Sequence, residues 1–166
     1  MSRQQHRCHG DDRRFEVVAD FIGQQWGSRV RYIADIAGGQ GLLSRLLNKR
    51  FNYESEVIDP RGWVLKGVSN RAEEFDPAMA AYYDLIIGLH PDQAIRAVAQ
   101  AALIRPALLV PCCNFWSEDE KLGRDALLEA IEAYYRSHSV RFERVALDFK
   151  GPYNYGLVSE PSSVKR

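Results

Sequence analysis

Strand-like runs alternate with helix-like runs along most of this 166-residue chain. Short apolar runs are typical of buried strands, and the segments between them carry apolar residues at helical spacing. Such alternation predicts an α/β fold, with a mostly parallel sheet covered by helices on both faces. The predicted strands are residues 30–36, 54–58, 65–69, 83–89, 107–112, 140–149 and 153–159. The predicted helices are residues 13–26, 42–50, 91–104 and 117–137, with a partly helical segment at 72–81.

The last two predicted strands flank Lys150-Gly-Pro152, which indicates a C-terminal antiparallel hairpin. The fold class is therefore a seven-stranded, mostly parallel sheet that ends in this hairpin. The length suits one domain, and we expect residues 13–166 to form it, after a flexible N-terminal arm at 1–12.

Charge and hydropathy limit the kinds of partner that the chain is expected to bind. The sequence has 22 basic and 22 acidic residues, so bulk charge does not hold it on nucleic acid. No run approaches the roughly 20 apolar residues that cross a bilayer, and residues 1–7 lack the apolar core of a signal peptide. We therefore expect a cytoplasmic protein without a membrane partner. The sequence does not indicate an oligomeric state.

The three cysteines do not indicate a disulfide framework, because their number is odd and two of them are adjacent. His6, Cys8 and His9 could ligate a metal, but a structural zinc site needs about four ligands and no second cluster supplies the rest. The sequence therefore predicts reduced thiols and no metal site.

A glycine-rich loop follows the first predicted strand, at the position where open α/β sheets bind ligands. Asp35 precedes Gly38, Gly39 and Gly41. A carboxylate there opposes a pyrophosphate and favours a cofactor with a positively charged amino-acid end, such as S-adenosylmethionine. Asp59 ends the second strand and can accept hydrogen bonds from both ribose hydroxyls, or it can simply belong to a turn.

The segment Tyr32-Ile-Ala-Asp-Ile-Ala-Gly-Gly-Gln-Gly41 resembles the first motif of class I S-adenosylmethionine-dependent methyltransferases. Ala37 stands where many members have glycine. The resemblance implies a Rossmann-like sheet and S-adenosylmethionine as the cofactor. It also implies that the loop approaches the methionine part of the cofactor, which Asp35 orients. The predicted cofactor-binding residues are Asp35, Ala37, Gly38, Gly39, Gly41, Asp59, Asn70, Arg71, Gly88 and Leu89.

Two further segments resemble one subgroup of that class. Tyr83-Asp-Leu-Ile-Ile-Gly-Leu-His90 matches the fourth-strand pattern, and Pro111-Cys-Cys-Asn114 follows the fifth strand. The subgroup is a methyltransferase domain family that includes tRNA ribose 2′-O-methyltransferases, which implies methyl transfer to RNA, at a tRNA ribose or base. His90 is a candidate general base, or else a capping or packed histidine.

Asn114 is the second predicted catalytic residue, and the residues around it are predicted to line the substrate pocket. They are Cys112, Cys113, Phe115 and Trp116, for which ordinary core packing is the alternative. For the cysteine pair a nucleophilic role is a third interpretation, although no sequence feature lowers a thiol pKa.

A cluster of basic side chains on the second predicted helix is a candidate RNA contact, or otherwise a solvated helix face. It consists of Arg45, Lys49 and Arg50. An RNA substrate could also be recruited by a partner protein. The alternatives to RNA methylation are a small-molecule methyltransferase, a non-catalytic methyltransferase-like scaffold or partner subunit, and an NAD-dependent oxidoreductase.

Overall fold

The computed structural model describes residues 10–162 and has one seven-stranded sheet, in the order β3-β2-β1-β4-β5-β7-β6. Strands β1 to β5 pair in parallel, whereas β7 is antiparallel to both β5 and β6. The predicted mostly parallel sheet with a C-terminal hairpin is confirmed. The strands are β1 Tyr32–Ile36, β2 Glu54–Ile58, β3 Asn70–Arg71, β4 Leu85–Leu89, β5 Ala107–Val110, β6 Arg141–Ala146 and β7 Tyr155–Glu160.

Within residues 10–162, four α-helices cover the two faces of the sheet: α1 Arg14–Trp26, α2 Leu42–Phe51, α3 Ile95–Ala101 and α4 Arg124–Ser137. One core lies under α1 and α2, and the other lies under α3 and α4. Successive strand side chains alternate between the two cores, since Leu85 and Ile87 join the first and Ile86 the second. None of the described helices combines the length and the apolar character that a bilayer span needs.

The strand predicted at residues 65–69 is wrong, because this segment turns instead of extending. Gly67 has φ +84°, and the backbone N–H of Leu65 donates to the Gln40 carbonyl of the glycine loop rather than to a strand. The sheet regains a strand only at Asn70–Arg71, which pairs with Val57 and Ile58.

Three helix predictions change in extent. In place of the partly helical segment predicted at 72–81, the structure has a 3-10 turn, Pro77–Tyr82, which Asp76 caps. The helix predicted at 91–104 is a 3-10 turn, Asp92–Ala94, followed by the short α3. The helix predicted from Ser117 begins only at Arg124. The Ser117 hydroxyl does accept a hydrogen bond from the Glu120 N–H, but this bond closes an isolated turn that does not continue into the helix. The capping-box pattern was therefore misleading here.

The topology creates a crevice at one edge of the sheet. The strand order reverses direction between β1 and β4, and the carboxyl ends of β1, β2, β4 and β5 meet at the same edge. In open α/β sheets a ligand binds at such a switch point. The predicted arm at residues 1–12 lies largely outside the described residues, since these begin at Gly10. The division into an arm and one domain stays a prediction.

Candidate active site

A cavity of about 650 Å³ lies at this edge, a size that suits a cofactor or small ligand. The loop after β1 and the first turn of α2 form one wall, and the residues after β2, β4 and β5 form the next. The segment before α1, the first turn of α1 and the turn between β6 and β7 complete the lining. The lining includes residues 10–11, 14–15, 37–40, 42–43, 89–90, 112–113 and 150–153, with Asp35, Arg61, Trp63 and Asp92.

Asp35 is a buried carboxyl group on the cavity wall at the end of β1. Burial raises its pKa to about 7, although a hydrogen bond from Ser44, with Oγ 2.9 Å from Oδ2, opposes that rise. The Ser44 hydroxyl also lies 2.8 Å from the Ser55 hydroxyl, so a buried polar chain fixes the carboxyl group. Asp35 can therefore change charge near neutral pH, and a cation in the cavity would favour its ionised form.

The glycine loop is packed directly against Asp35. A Cβ atom at Gly38 would lie 2.6 Å from the Asp35 carboxyl carbon, so a side chain at this position would displace that group. Ala37 has φ +53°, a left-handed conformation that favours glycine, and its N–H donates to the Ile58 carbonyl of β2. This left-handed backbone conformation explains why many members of the class have glycine at this position.

Asp59 is buried at the end of β2, and its carboxylate is already fully engaged. Its Oδ2 accepts from the Gly39 N–H at 3.0 Å, and both oxygens accept from the Arg61 side chain. Burial alone would raise the pKa of Asp59, but the hydrogen bonds and charge of Arg61 hold it below the usual range. Arg61, rather than Asp59, faces the cavity.

His90 follows β4 and lies on the cavity wall with φ +50°. Its Nε2 lies 2.9 Å from the Tyr153 carbonyl oxygen, an acceptor, which assigns the ring proton to Nε2. Burial lowers the pKa of His90, so the neutral ring is favoured. The lone pair is then on Nδ1, the nitrogen that can accept a proton.

The structure brings several other predicted residues to the cavity, namely Gly39, Leu89, Cys112 and Cys113. Gly41 and Gly88 lie outside its lining and serve packing, because a Cβ atom would lie 2.6 Å from Val68 at the first and 2.9 Å from Val98 at the second.

Asn70 and Arg71 also lie outside the lining, as an exposed short strand in which Arg71 pairs with Glu56 at 2.9 Å. Neither residue lines the cavity, so their contact with the cofactor stays a prediction.

The segment after the two cysteines turns away from the cavity. Asn114 stabilises a turn, donating to the Glu120 carbonyl at 2.6 Å. Phe115 is exposed, and Trp116 is buried with its ring edge-on to Tyr134, the ring centroids 5.5 Å apart. For Trp116 the structure shows core packing, the alternative that the sequence left open.

Sequence reasoning missed several residues of the lining. Arg61 lies only two positions after Asp59, so an ion pair between them at the end of β2 could have been predicted from the sequence. Asp92 and Trp63 follow the predicted residues His90 and Asp59 closely, but no motif marks them. Residues 10–11, 14–15 and 150–153 come from distant parts of the chain, and no local pattern indicates that they meet.

No protein-family model matches the chain, and a search of curated proteins finds no significant relative. Solved structures are similar in fold. The sugar N-methyltransferase KedS8 from Streptoalloteichus has a TM-score of 0.60 at 14% identity, over 97% of this chain and 99% of that one.

Two further structures give similar values. A SAM-dependent methyltransferase from Archaeoglobus fulgidus has a TM-score of 0.53 at 12% identity, over 87% of this chain and 93% of that one. The N-terminal domain of EvdMO1, with S-adenosylhomocysteine bound, has a TM-score of 0.55 at 11% identity, over 90% of this chain and 80% of that one. The chain thus has the fold of the class I S-adenosylmethionine-dependent methyltransferases, as the resemblance of its first motif predicts.

Proposed function

We propose that this protein is an S-adenosylmethionine-dependent methyltransferase. One observation carries the proposal: the buried Asp35 carboxyl group, with Gly38 packed against it, faces a cavity at the switch point of a methyltransferase-like sheet. A carboxyl group at this position suits an ammonium group and opposes a phosphate. The volume of about 650 Å³ accommodates a nucleoside with an amino-acid tail.

The residues of the chain have distinct roles in this proposal. S-adenosylmethionine supplies an already activated sulfonium methyl group, so the protein mainly positions the acceptor and excludes water. Asp35 holds the ammonium end, and the backbone at Gly39 lies beside the methionine part. Asp59 accepts hydrogen bonds from the ribose hydroxyls once Arg61 has moved aside. His90 Nδ1 takes the proton that the acceptor loses.

We propose RNA as the acceptor, at a tRNA ribose or base, on the resemblance of the segments that end in His90 and Asn114 to the subgroup with tRNA ribose methyltransferases. Helix α2 adds support, because its first turn lines the cavity and its last turn carries Lys49 and Arg50. A small-molecule acceptor is the second candidate. It is favoured by Asp20, which pairs with Arg50 at 3.0 Å and neutralises part of the basic cluster.

Calorimetry with S-adenosylhomocysteine tests the cofactor assignment. We expect binding by the native protein, at least about tenfold weaker binding by Asp35→Asn, and unchanged binding by the exposed control Asp148→Asn. NADH should not bind. Binding of NADH without S-adenosylhomocysteine would overturn the proposal in favour of an oxidoreductase.

Transfer of a tritiated methyl group tests the activity and the acceptor. The labelled cofactor is incubated with the protein and with separate fractions of tRNA, other RNA, protein and small metabolites. Label in tRNA supports the proposed acceptor, and label in metabolites alone supports the second candidate. Cofactor binding without transfer to any fraction would favour the non-catalytic scaffold.

A further inference from the structure

Three side chains with metal-ligating atoms meet on the cavity wall: Asp92, Cys112 and Cys113. Their carboxylate and thiol atoms all lie within 4.8 Å of one another, and the Cys112 sulfur is 3.4 Å from Asp92 Oδ1. It is the one such cluster that residues 10–162 contain. The adjacent parallel strands β4 and β5 place them together, because Leu89 pairs in register with Val110 and both chains leave the sheet there.

The Arg61 guanidinium interacts with Asp92 electrostatically, but among residues 10–162 no cationic side chain forms an ion pair with this cluster. Asp92 accepts a hydrogen bond from Cys112, and it makes no ion pair with any residue of the described segment. Cys112 is partly buried and Cys113 is exposed to the cavity side, so both thiols are accessible. Burial and the neighbouring Asp92 charge raise the pKa of the Cys112 thiol well above its usual range. Without a cation this thiol is protonated and a poor nucleophile.

We propose that Asp92, Cys112 and Cys113 form a binding site for a soft divalent cation of the zinc class. Two sulfurs and one carboxylate oxygen are ligands that zinc prefers, and three protein ligands are the number that open zinc sites use. On binding, each thiol would release its proton to solvent; the two thiolates would balance the 2+ charge of the ion, and the Asp92 carboxylate would leave the site with one net negative charge. Because all three residues line the cavity, water or an acceptor heteroatom from the cavity could complete the coordination.

This site was not predicted from the sequence, which suggested no metal centre. Two adjacent cysteines are too few ligands by themselves. The third ligand, Asp92, is 20 positions away and joins them only because β4 and β5 are neighbours. The inference is independent of the proposed methyl transfer, since it concerns metal binding by the protein without a cofactor.

Cobalt substitution tests the site in the full chain, kept reduced and free of S-adenosylmethionine. Co²⁺ gives a thiolate charge-transfer band and visible absorption, and added Zn²⁺ should displace it at roughly one equivalent per chain. We expect Cys112→Ser and Cys113→Ser to lose most of the band, and Asp92→Asn to weaken Zn²⁺ binding by at least about tenfold.

Cys8→Ser is the matched control, because it removes the third thiol of the chain and leaves the cluster intact. Circular dichroism of each variant shows that it remains folded. A native protein without a cobalt band, or a band that survives in both Cys112→Ser and Cys113→Ser, would overturn the proposal. Failure of the methyl-transfer assay would leave the result unchanged, so the two proposals are tested separately.

Discussion

Arg61 pairs with Asp59 through two parallel hydrogen bonds, with Nε 2.9 Å from Oδ1 and Nη2 2.6 Å from Oδ2. Asp59 is buried, whereas the Arg61 side chain is about half exposed and lines the cavity. The carboxylate proposed to receive the ribose hydroxyls is therefore occupied by a side chain of its own chain. A ribose diol has to displace Arg61 before it can bind Asp59.

Replacing Arg61 should therefore strengthen cofactor binding. Because a half-exposed ion pair contributes up to about 1 kcal/mol, Arg61→Gln should bind S-adenosylhomocysteine up to about fivefold more tightly. Asp59→Asn should bind it more weakly, since the amide accepts fewer hydrogen bonds. Calorimetry at constant pH and salt measures both changes.

Arg31→Gln is the control for Arg61→Gln. It removes another arginine–carboxylate pair, with Glu54 at 2.6 Å, at the opposite end of the sheet. The affinity of that variant should equal that of the native protein. Weaker binding by Arg61→Gln would contradict the competition and indicate that Arg61 contacts the cofactor itself.

The parts of the site that follow single strands could be predicted from sequence. Asp35 and the glycines come directly after a strongly apolar strand, and Leu85–Leu89 ends beside His90. Both signals are local, because each site residue lies at or directly after the end of its own strand. These residues meet because the carboxyl ends of parallel strands lie at one edge of the sheet. The C-terminal hairpin was also predictable, from two extended runs around Gly151.

The parts that depend on tertiary packing could not be predicted. The segment 65–69 has strand-like residues, yet Leu65 bonds to Gln40 of the glycine loop, a contact that only the folded chain provides. Ser117 and Glu120 fit a capping box, but Gly123 and Arg124 mark the actual start of α4. Local propensity is a weak prior that tertiary contacts override.

A side chain at Gly38 should disrupt the site without a large change in the fold. Gly38→Ala places a methyl group 2.6 Å from the Asp35 carboxyl group, so that group or the loop must shift. We expect a loss of stability of about 1–3 kcal/mol and at least about tenfold weaker binding of S-adenosylhomocysteine. Gly123→Ala is the control, since a methyl group there meets no atom within 4 Å. Equal behaviour of the two variants in denaturation and calorimetry would contradict the packing argument.

Asp35 should make the stability of the protein depend on pH. Its pKa is about 7 in the folded state, against about 3.9 for an aspartate in an unfolded chain. Between these values the folded state holds a proton that the unfolded state has released. The contribution of Asp35 to the free energy of unfolding is therefore fully present below about pH 4 and falls as the pH rises to about 7.

The Asp35→Asn variant should lose this dependence. Urea denaturation between about pH 5 and 7 should show a slope that is flatter by up to about 1.4 kcal/mol per pH unit than in the native protein. The exposed control Asp148→Asn should keep the native slope. If Asp35→Asn and the native protein have the same slope, Asp35 does not titrate in this range.

His90 provides a test that separates catalysis from positioning. Its Nε2 proton bonds to the Tyr153 carbonyl, which leaves Nδ1 as the basic atom. His90→Gln retains a donor at the end of the side chain, so the bond to the 150–153 turn can persist, but it has no base. We therefore expect kcat to fall about 100-fold while the affinity for S-adenosylhomocysteine is retained.

His138→Gln replaces an exposed histidine at the end of α4 and should leave both quantities unchanged. Steady-state transfer assays and calorimetry on the same preparations give the comparison. If His90→Gln lowers the affinity for S-adenosylhomocysteine and leaves kcat unaltered, the ring positions the turn that covers the cavity and does not take a proton. That result would assign proton removal to another group or to water, because a variant without a base at the end of β4 would transfer the methyl group as fast as the native protein.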